Sequence, residues 1–577
     1  MTRQSGLRLG KALPARLWLA ATLAVVLVYS LPMVRQAFST ADVVQDDARQ
    51  HVFWMQRFLD PSLFPQDLIA DYFQAVGPPG YTGLYWLAAQ VGIPPMLFHK
   101  LLPSPLLLLT AALCFALTLR LSSSPVAAAI AALLLAQGLG LTDAIVSATP
   151  KAFIYPLLMG LLYALAAGWR WGTAITIALQ GLFYPQLALI AVVLLLLRLV
   201  DWRRWRPAPR SHYWTALWGI AAAALVLLPY ALQSHGYGPT LTLAEARSLP
   251  ELSLPGSRAR FFVDDPAAYW LEGRSGLRLA TVFTPVTNGL GLLLPLLLWR
   301  SHRLLPQENH LPQAPPRRQA PPLLQKTQSL MLLPQMAIAS LIMFGVAHLL
   351  LFRLHLPSRY TQHSLRVVLS VAAAIAIVTL IDGLWRWARA AWQRAVALAI
   401  TTLLGAAVLL YPLSTGGLVT AYQVGQSPAL YDFLRQQPAE TTVASLSDEA
   451  NNLPSFTGRS ILVGGEYAIP YHTGYYQQIR DRAQDLIRAQ YSSDLAAVQQ
   501  FIRTYRVTHW LFDRNAFGPR YRQNNLLVQQ FSVADQAEAS AGTPVLQQLI
   551  RREICVAFRS QQHVVLDADC LQKRDRV

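Results

Sequence analysis

Residues 17–34 read LWLAATLAVVLVYSLPMV, and shortly after them residues 40–73 read TADVVQDDARQHVFWMQRFLDPSLFPQDLIADYF. A bilayer core about 30 Å thick takes roughly 20 apolar residues of helix, because no backbone amide can be left unpaired in lipid. The first stretch is therefore read as a membrane-spanning helix. It is too long for a signal-peptide core and lacks a convincing small-residue cleavage site, so it reads as retained. The second stretch is different in kind. It carries Asp42, Asp46, Asp47, Asp60, Asp67 and Asp71 against Arg49 and Arg57. From Asp46 onward, Val52, Phe53, Met55, Phe58 and Leu59 fall toward one side of a helix, while Arg49, Gln50, Gln56 and Arg57 are more polar. That pattern predicts an amphipathic helix lying in the membrane interface.

Working outward, the same apolar pattern recurs. The chain has 577 residues, 54% hydrophobic and 14% charged, whereas soluble domains are nearer a quarter charged. About eleven spans of bilayer length are expected, near 17–34, 100–120, 125–142, 150–168, 172–183, 185–200, 213–233, 277–299, 331–353, 364–384 and 396–413. Residues 172–200 admit two readings. Proline within Phe183-Tyr184-Pro185-Gln186 interrupts the helix ladder, which favours two short spans and a tight turn. The rival makes 172–200 one helix and 80–98 a span. The fold class is a polytopic α-helical membrane bundle (residues 1–413) followed by a soluble α/β domain (414–577).

Charge gives an orientation. The formal net charge of +18 sits in short basic tufts between apolar runs, at Arg3–Arg16, Trp202–Arg210, Arg300–Lys326 and Trp385–Arg394. Alternating the spans from a cytoplasmic N-terminus puts every tuft inside, as the positive-inside rule requires. The C-terminal domain then lies outside a plasma membrane, bacterial by expectation. Segment 414–577 is nearly neutral, so the charge gives no footprint for nucleic acid. Residues 300–328, rich in proline and polar groups, read as a cytoplasmic linker between two parts of the bundle.

The outer loops carry the candidate chemistry. Asp46 and Asp47 have two readings. As an N-cap and first-turn pair they would serve the helix alone. As a carboxylate pair at a bilayer surface, one supplies a general base while the other, or a divalent ion such as Mg or Mn, positions substrates. Cations on the same side are Lys151, in Ala148-Thr149-Pro150-Lys151 with Asp143 eight residues earlier, Arg359 in the turn Leu356–His363, and Arg366 beyond it. Lys acts as a point charge and Arg as a bidentate fork for phosphate; the bland alternative is snorkelling to headgroups. His51, His355 and His363 share no i, i+4 spacing, which argues against a helical zinc pair.

A cytoplasmic N-terminus, one span, and a long outer loop in which Asp46-Asp47, followed by Arg49 and His51, opens an interfacial helix together resemble the C-type glycosyltransferase (GT-C) superfamily. The resemblance covers the layout of the whole chain. It implies a membrane glycosyltransferase in which an acid of the first outer loop, Asp47 or Asp46, is the catalytic base. It also implies a donor sugar carried on a polyprenyl phosphate, with a glycan, lipid or envelope polymer as acceptor. Lys151, Arg359, Arg366, Asp143, His51 and His363 become the expected phosphate- and substrate-binding residues. The Trp-Trp-Asp signature of the oligosaccharyltransferase branch is absent from the C-terminal domain, and the two acids are adjacent instead of separated by one residue.

In the C-terminal segment, apolar runs at Thr441–Leu446, 460–464 and Val507–Asp513 alternate with helical patterns at 428–437, 475–489 and 493–505. This predicts a small, mainly parallel sheet, with a terminal hairpin at Glu553–Phe558 and His563–Asp567. Cys555 and Cys570 flank the hairpin and would pair in an oxidising compartment. Gly464-Gly465 is followed by no phosphate-loop pattern. Two other classes stay open. A transporter or flippase is expected to show internal repeats and midplane charges, and neither is evident. A scaffold would have no need of Asp46 and Asp47.

Overall fold

The computed structural model describes residues 13–202, 204–232, 236–257, 259–304, 330–414, 419–531 and 542–574. The basic N-terminal residues before 13 and most of the linker 300–328 lie outside these. Among the described residues helices lie within the expected spans, but 277–299 is divided into a short helix, Leu279–Val282, a 3-10 helix, Val286–Leu293, and an α-helix from Leu294. Seven are long and apolar enough to cross a bilayer on their own: Ala15–Ala37, Pro95–Ser122, Pro150–Ala167, Arg210–Leu232, Leu332–Leu349, Pro357–Trp387 and Ala391–Pro412. Pro125–Gly140, Pro185–Leu197 and Val286–Arg300 are shorter.

The stretch 172–200 is a helical hairpin. One helix ends at Phe183, Tyr184 takes the extended angles φ −154° and ψ 86°, and Pro185 opens the next. Its two arms run antiparallel: Ile177 on one and Leu195 on the other both approach Gly219. At a rise of about 1.5 Å per residue, arms of 14 and 13 residues are shorter than a bilayer core. The region 80–98 is not one span either; it divides into Pro79–Gln90 and a helix from Pro95. Gly80 seats this segment on the hairpin turn, where a Cβ would come within 2.8 Å of Leu182 Cβ.

The C-terminal sheet has five strands in the order Ser460–Ile461, Thr442–Ser445, His509–Asp513, His563–Asp567, Val556–Arg559. The first three are parallel, and the terminal hairpin adds two antiparallel pairings. The sheet is therefore mixed, not mainly parallel. Helices Thr473–Gln490 and Leu495–Tyr505 bury Ile479, Leu486, Val498 and Ile502 with Trp510 and Leu511 in the core. Cys555 and Cys570 are joined by a disulfide, with Cα atoms 5.5 Å apart.

The segment expected to lie in the interface departs most from its sequence reading. It divides at Val52 into a short α-turn, Ala48–His51, and a 3-10 helix, Phe53–Phe58. Phe53, Trp54 and Met55 are all buried. Phe53 meets the edges of Phe64 and Tyr467, and Gln56 Nε2 donates to Pro454 O at 3.2 Å. These side chains pack on the first loop and the helices that follow it, Leu68–Ala75, Pro79–Gln90 and Pro95–Leu101, as well as on the sheet region, while Leu59 stays exposed. Just before it, Val43–Gln45 pairs antiparallel with Tyr422–Val424, which fastens the first loop to the chain entering the sheet region.

Candidate active site

The turn after strand Val43–Gln45 is held at both ends. Asp46 N donates to Ala421 O at 3.0 Å, and Asp47 N donates to Gln45 Oε1 at 2.9 Å. Asp47 occupies the N-cap position of Ala48–His51, yet its side chain makes no capping hydrogen bond. It pairs instead with Lys151. The ammonium of Lys151 also lies 2.6 Å from Asp143 Oδ2, so one cation is shared by two carboxylates from separate loops. Lys151 stands in the first turn of Pro150–Phe153. Ala148, with φ 50°, turns the chain into that helix, and Tyr85 Oη anchors it by donating to Ala148 O at 2.8 Å.

Asp46 is engaged differently. It accepts from Arg49 and from Gln423 Nε2, the latter at 3.2 Å. Arg49 also reaches Asn452 Oδ1 at 3.0 Å and Glu466 Oε2 at 2.9 Å. Gln50 Nε2 donates to Glu466 O and Oε1 at 2.6 and 2.7 Å. Arg49 and Glu466 are 7% and 4% exposed, which makes this a buried ionic joint between the acidic turn and the sheet region.

Arg359 lies in the turn Pro357–Tyr360. Tyr184, Tyr471, Asp47 and Asp143 are near enough to act on its charge, and its Nε is buried without a hydrogen-bond partner. An unspent guanidinium N–H beside a polar cluster is a donor available to an anionic ligand. Arg366, expected to serve the same anion, is otherwise committed. Its Nε and Nη2 donate to Thr281 O at 3.1 and 3.0 Å, and its Nη1 to Tyr155 Oη and Thr142 Oγ1 at 2.8 and 3.3 Å. It braces the wall of the site.

His363 belongs to that wall too. Gln362 Oε1 accepts from Arg278 at 3.3 Å, so the amide presents Nε2 to His363 Nε2 at 2.7 Å. That ring nitrogen is then the acceptor, and Nδ1–H donates to Tyr155 Oη at 2.9 Å. Both ring nitrogens are occupied. His51 lies edge-on to Phe73, with ring centroids 5.8 Å apart. His355 packs against Tyr471; burial, then the charges of Arg359 and Arg274, push its imidazole down to about 3.

Among the described residues no three His, Cys, Asp or Glu side chains gather as a metal site. Asp47 and Asp143 hold the ammonium of Lys151 between them, and with that cation in place this carboxylate pair does not fit a divalent ion as well.

The structure thus brings Asp47, Lys151 and Asp143 together within electrostatic reach of Arg359, places Asp46 on Arg49, and commits Arg366 and His363 to Tyr155. Sequence reasoning passed over Tyr155, Gln362 and Arg278. Only Tyr155 had a local signal: four residues after Lys151, it shares that residue's helix face.

Comparison with solved structures finds this fold in two crystal structures of the Archaeoglobus fulgidus oligosaccharyltransferase. One is tethered to an acceptor peptide containing the NVT sequon, with 14% identity and a TM-score of 0.52 over 89% of this chain and 71% of that one. The other is a complex with Zn and sulfate, with 14% identity and a TM-score of 0.51 over 92% and 70%. ArnT from Cupriavidus metallidurans bound to undecaprenyl phosphate aligns over 96% of this chain and 97% of its own at 14% identity, with a TM-score of 0.45. No protein-family model and no curated protein sequence matches the chain. The chain has a GT-C-like fold: a multi-pass membrane bundle carrying a C-terminal sheet region.

Proposed function

We propose that this protein is a membrane glycosyltransferase that moves a sugar from a polyprenyl-phosphate donor to a glycan, lipid or polymer acceptor of the cell envelope. In this reading the N-terminus is cytoplasmic, the sheet region is extracytoplasmic, and the membrane is a bacterial plasma membrane. One observation carries it: Asp47 and Asp143 share Lys151, and both also act on the charge of Arg359, whose Nε is unspent.

An acceptor hydroxyl is a poor nucleophile until its proton is drawn off. Asp47 takes that proton as the acceptor oxygen attacks the anomeric carbon. The bond from that carbon to the phosphate oxygen breaks on the opposite side, so the configuration inverts. The electron pair leaves with the polyprenyl phosphate, and its new charge meets Lys151 and Arg359. Asp143 holds Lys151 in place, while Arg366, Tyr155 and His363 keep the wall rigid. Asp46, drawn toward Arg49 and Gln423, positions its neighbour.

Membranes containing the protein, supplied with a radiolabelled polyprenyl-phosphate sugar, test this reading. Label is expected to leave the polyprenyl phosphate and appear in a delipidated envelope fraction or on a second lipid resolved from the donor by chromatography. Label that crosses the bilayer while still on the polyprenyl phosphate would replace transfer with transport.

A further inference from the structure

A second cleft, of about 800 Å³, opens in the sheet region among residues that the reaction outlined above does not use. Its position follows from the strand order. After Thr442–Ser445 the chain places its next strand, Ser460–Ile461, on one side and the following parallel strand, His509–Asp513, on the other. Thr442–Ser445 and His509–Asp513 therefore flank a topological switch point, and open α/β sheets bind ligands at the carboxyl ends of such strands. The cleft lies there: Ser447–Glu449 follow the first strand and Asp513–Asn515 continue the second.

The floor is built. Asp513 accepts from Ser447 Oγ at 2.6 Å and from Tyr521 Oη at 2.7 Å, and lies 3.3 Å from His563 Nε2. His563 is fixed in turn by Ser427 Oγ, 3.0 Å from its Nδ1. Above this floor, Asp448, Arg514, Arg520 and Asn524 are exposed to the cleft. No aliphatic side chain is among the described residues lining it, which disfavours an acyl chain. Carboxylates and guanidiniums are close to balanced, which disfavours a polyanion. What remains is a ligand dense in hydroxyl groups that both donate and accept. The planar two-headed Asp, Asn and Arg groups suit neighbouring hydroxyls of a sugar ring.

The cleft is also tied to the acidic turn. Glu449 on its rim accepts from Asn452 Nδ2 at 3.0 Å, and Asn452 Oδ1 accepts from Arg49 at 3.0 Å. Arg49 in turn holds Asp46. We propose that this cleft is a carbohydrate-binding site, separate from the reaction centre, that holds residues of the acceptor glycan away from the reacting hydroxyl. Its assignment to the acceptor rests on the transferase reading; its affinity for carbohydrate does not.

Full-length protein in detergent is titrated with chitohexaose, maltohexaose and xylohexaose, with binding followed by saturation-transfer NMR. At least one probe is expected to bind, and to bind roughly tenfold or more weakly to Arg514→Ala/Arg520→Ala and to Asp448→Ala, as the loss of a charged hydrogen bond implies. Asp47→Asn is expected to bind as the unmodified protein does. All four substituted positions are exposed or partly exposed, and unchanged melting temperatures would show that the three variants fold. Absence of binding by all three probes, or unaltered binding by both cleft variants, overturns the proposal. Loss of binding in Asp47→Asn also overturns it, by placing the sugar in the reaction centre. The titration needs no turnover, so a protein that binds sugar but transfers none refutes the transferase reading alone.

Discussion

Lys151 Nζ lies 2.6 Å from Asp143 Oδ2 and pairs at the same time with Asp47. One cation therefore joins the first long loop to the turn before Pro150–Phe153. The pairing aims an Asp47 oxygen and sets beside it the charge that would meet a leaving phosphate. In Lys151→Met the two carboxylates would face each other with no cation between them. Turnover is expected to fall by about 10²–10³, the scale seen when one preorganised charge-stabilising group is removed, with Lys151→Arg retaining part of it. Initial rates of label transfer in membranes measure both.

The Arg49–Glu466 contact predicts an effect on stability. Both side chains are nearly inaccessible to solvent. Removing one partner of a buried pair costs about 3–5 kcal/mol where the remaining charge is left uncompensated; Arg49 keeps its ion pair with Asp46, so a smaller loss is expected. Glu466→Ala is expected to lower the melting temperature and to disturb the acidic turn, since Arg49 would keep only its contacts with Asp46 and Asn452. Glu466→Gln, which retains the acceptor oxygen, is expected to lose less. Thermal melts of the detergent-purified protein distinguish them.

His355 gives a pH dependence with a definite sign. Its folded imidazole is pushed down to about 3, whereas an unfolded histidine titrates near 6.5. Between those values the unfolded chain binds the proton and the folded protein does not. This contribution to stability is therefore complete above about pH 6.5 and is lost as the pH falls below it. Asn also tolerates the positive φ of 63° found here. His355→Asn is expected to flatten the fall in melting temperature between pH 7 and 4.5, by up to about one proton in slope.

The disulfide between Cys555 and Cys570 spans a sequence separation of 15. Closing a loop of that size stabilises a fold by about 3 kcal/mol in the chain-entropy account. Cys570→Ser, or reduction, is expected to loosen the terminal hairpin first. Faster amide exchange at Val556–Arg559 and His563–Asp567 than in Thr442–Ser445 would show it.

Much of the helical layout was legible because each cause is local. Apolar runs of bilayer length mark helices, and Pro185 divides its hairpin from within. Other features depend on partners that local pattern does not reveal. The apolar face at Val52–Met55 looks the same whether lipid or protein will cover it, and here Phe64, Tyr467 and the helices from Leu68 to Leu101 pack on it. The pairing of Val43–Gln45 with Tyr422–Val424 joins two three-residue strands with all of the bundle but its first helix between them in sequence. Docking of the terminal hairpin on His509–Asp513, which makes the sheet mixed, is equally non-local. Within the site, residue type suggested Asp47, Lys151 and Arg359, but the same criterion suggested Arg366. Its acceptors Thr281, Thr142 and Tyr155 come from distant segments.

The central claim is that Asp47 draws the proton from the acceptor. The most direct test compares envelope glycans and lipid-linked sugars in a deletion strain carrying the unmodified gene, Asp47→Asn or Asp46→Asn, with each protein confirmed folded and membrane-inserted. The account predicts that Asp47→Asn fails to restore the missing glycan and lets the lipid-linked donor accumulate, reflecting a rate loss of about 10²–10⁴ for removal of a general base. Asp46→Asn is predicted to restore it in part. Full restoration by Asp47→Asn would contradict the account and leave the carboxylate as a structural partner of Lys151.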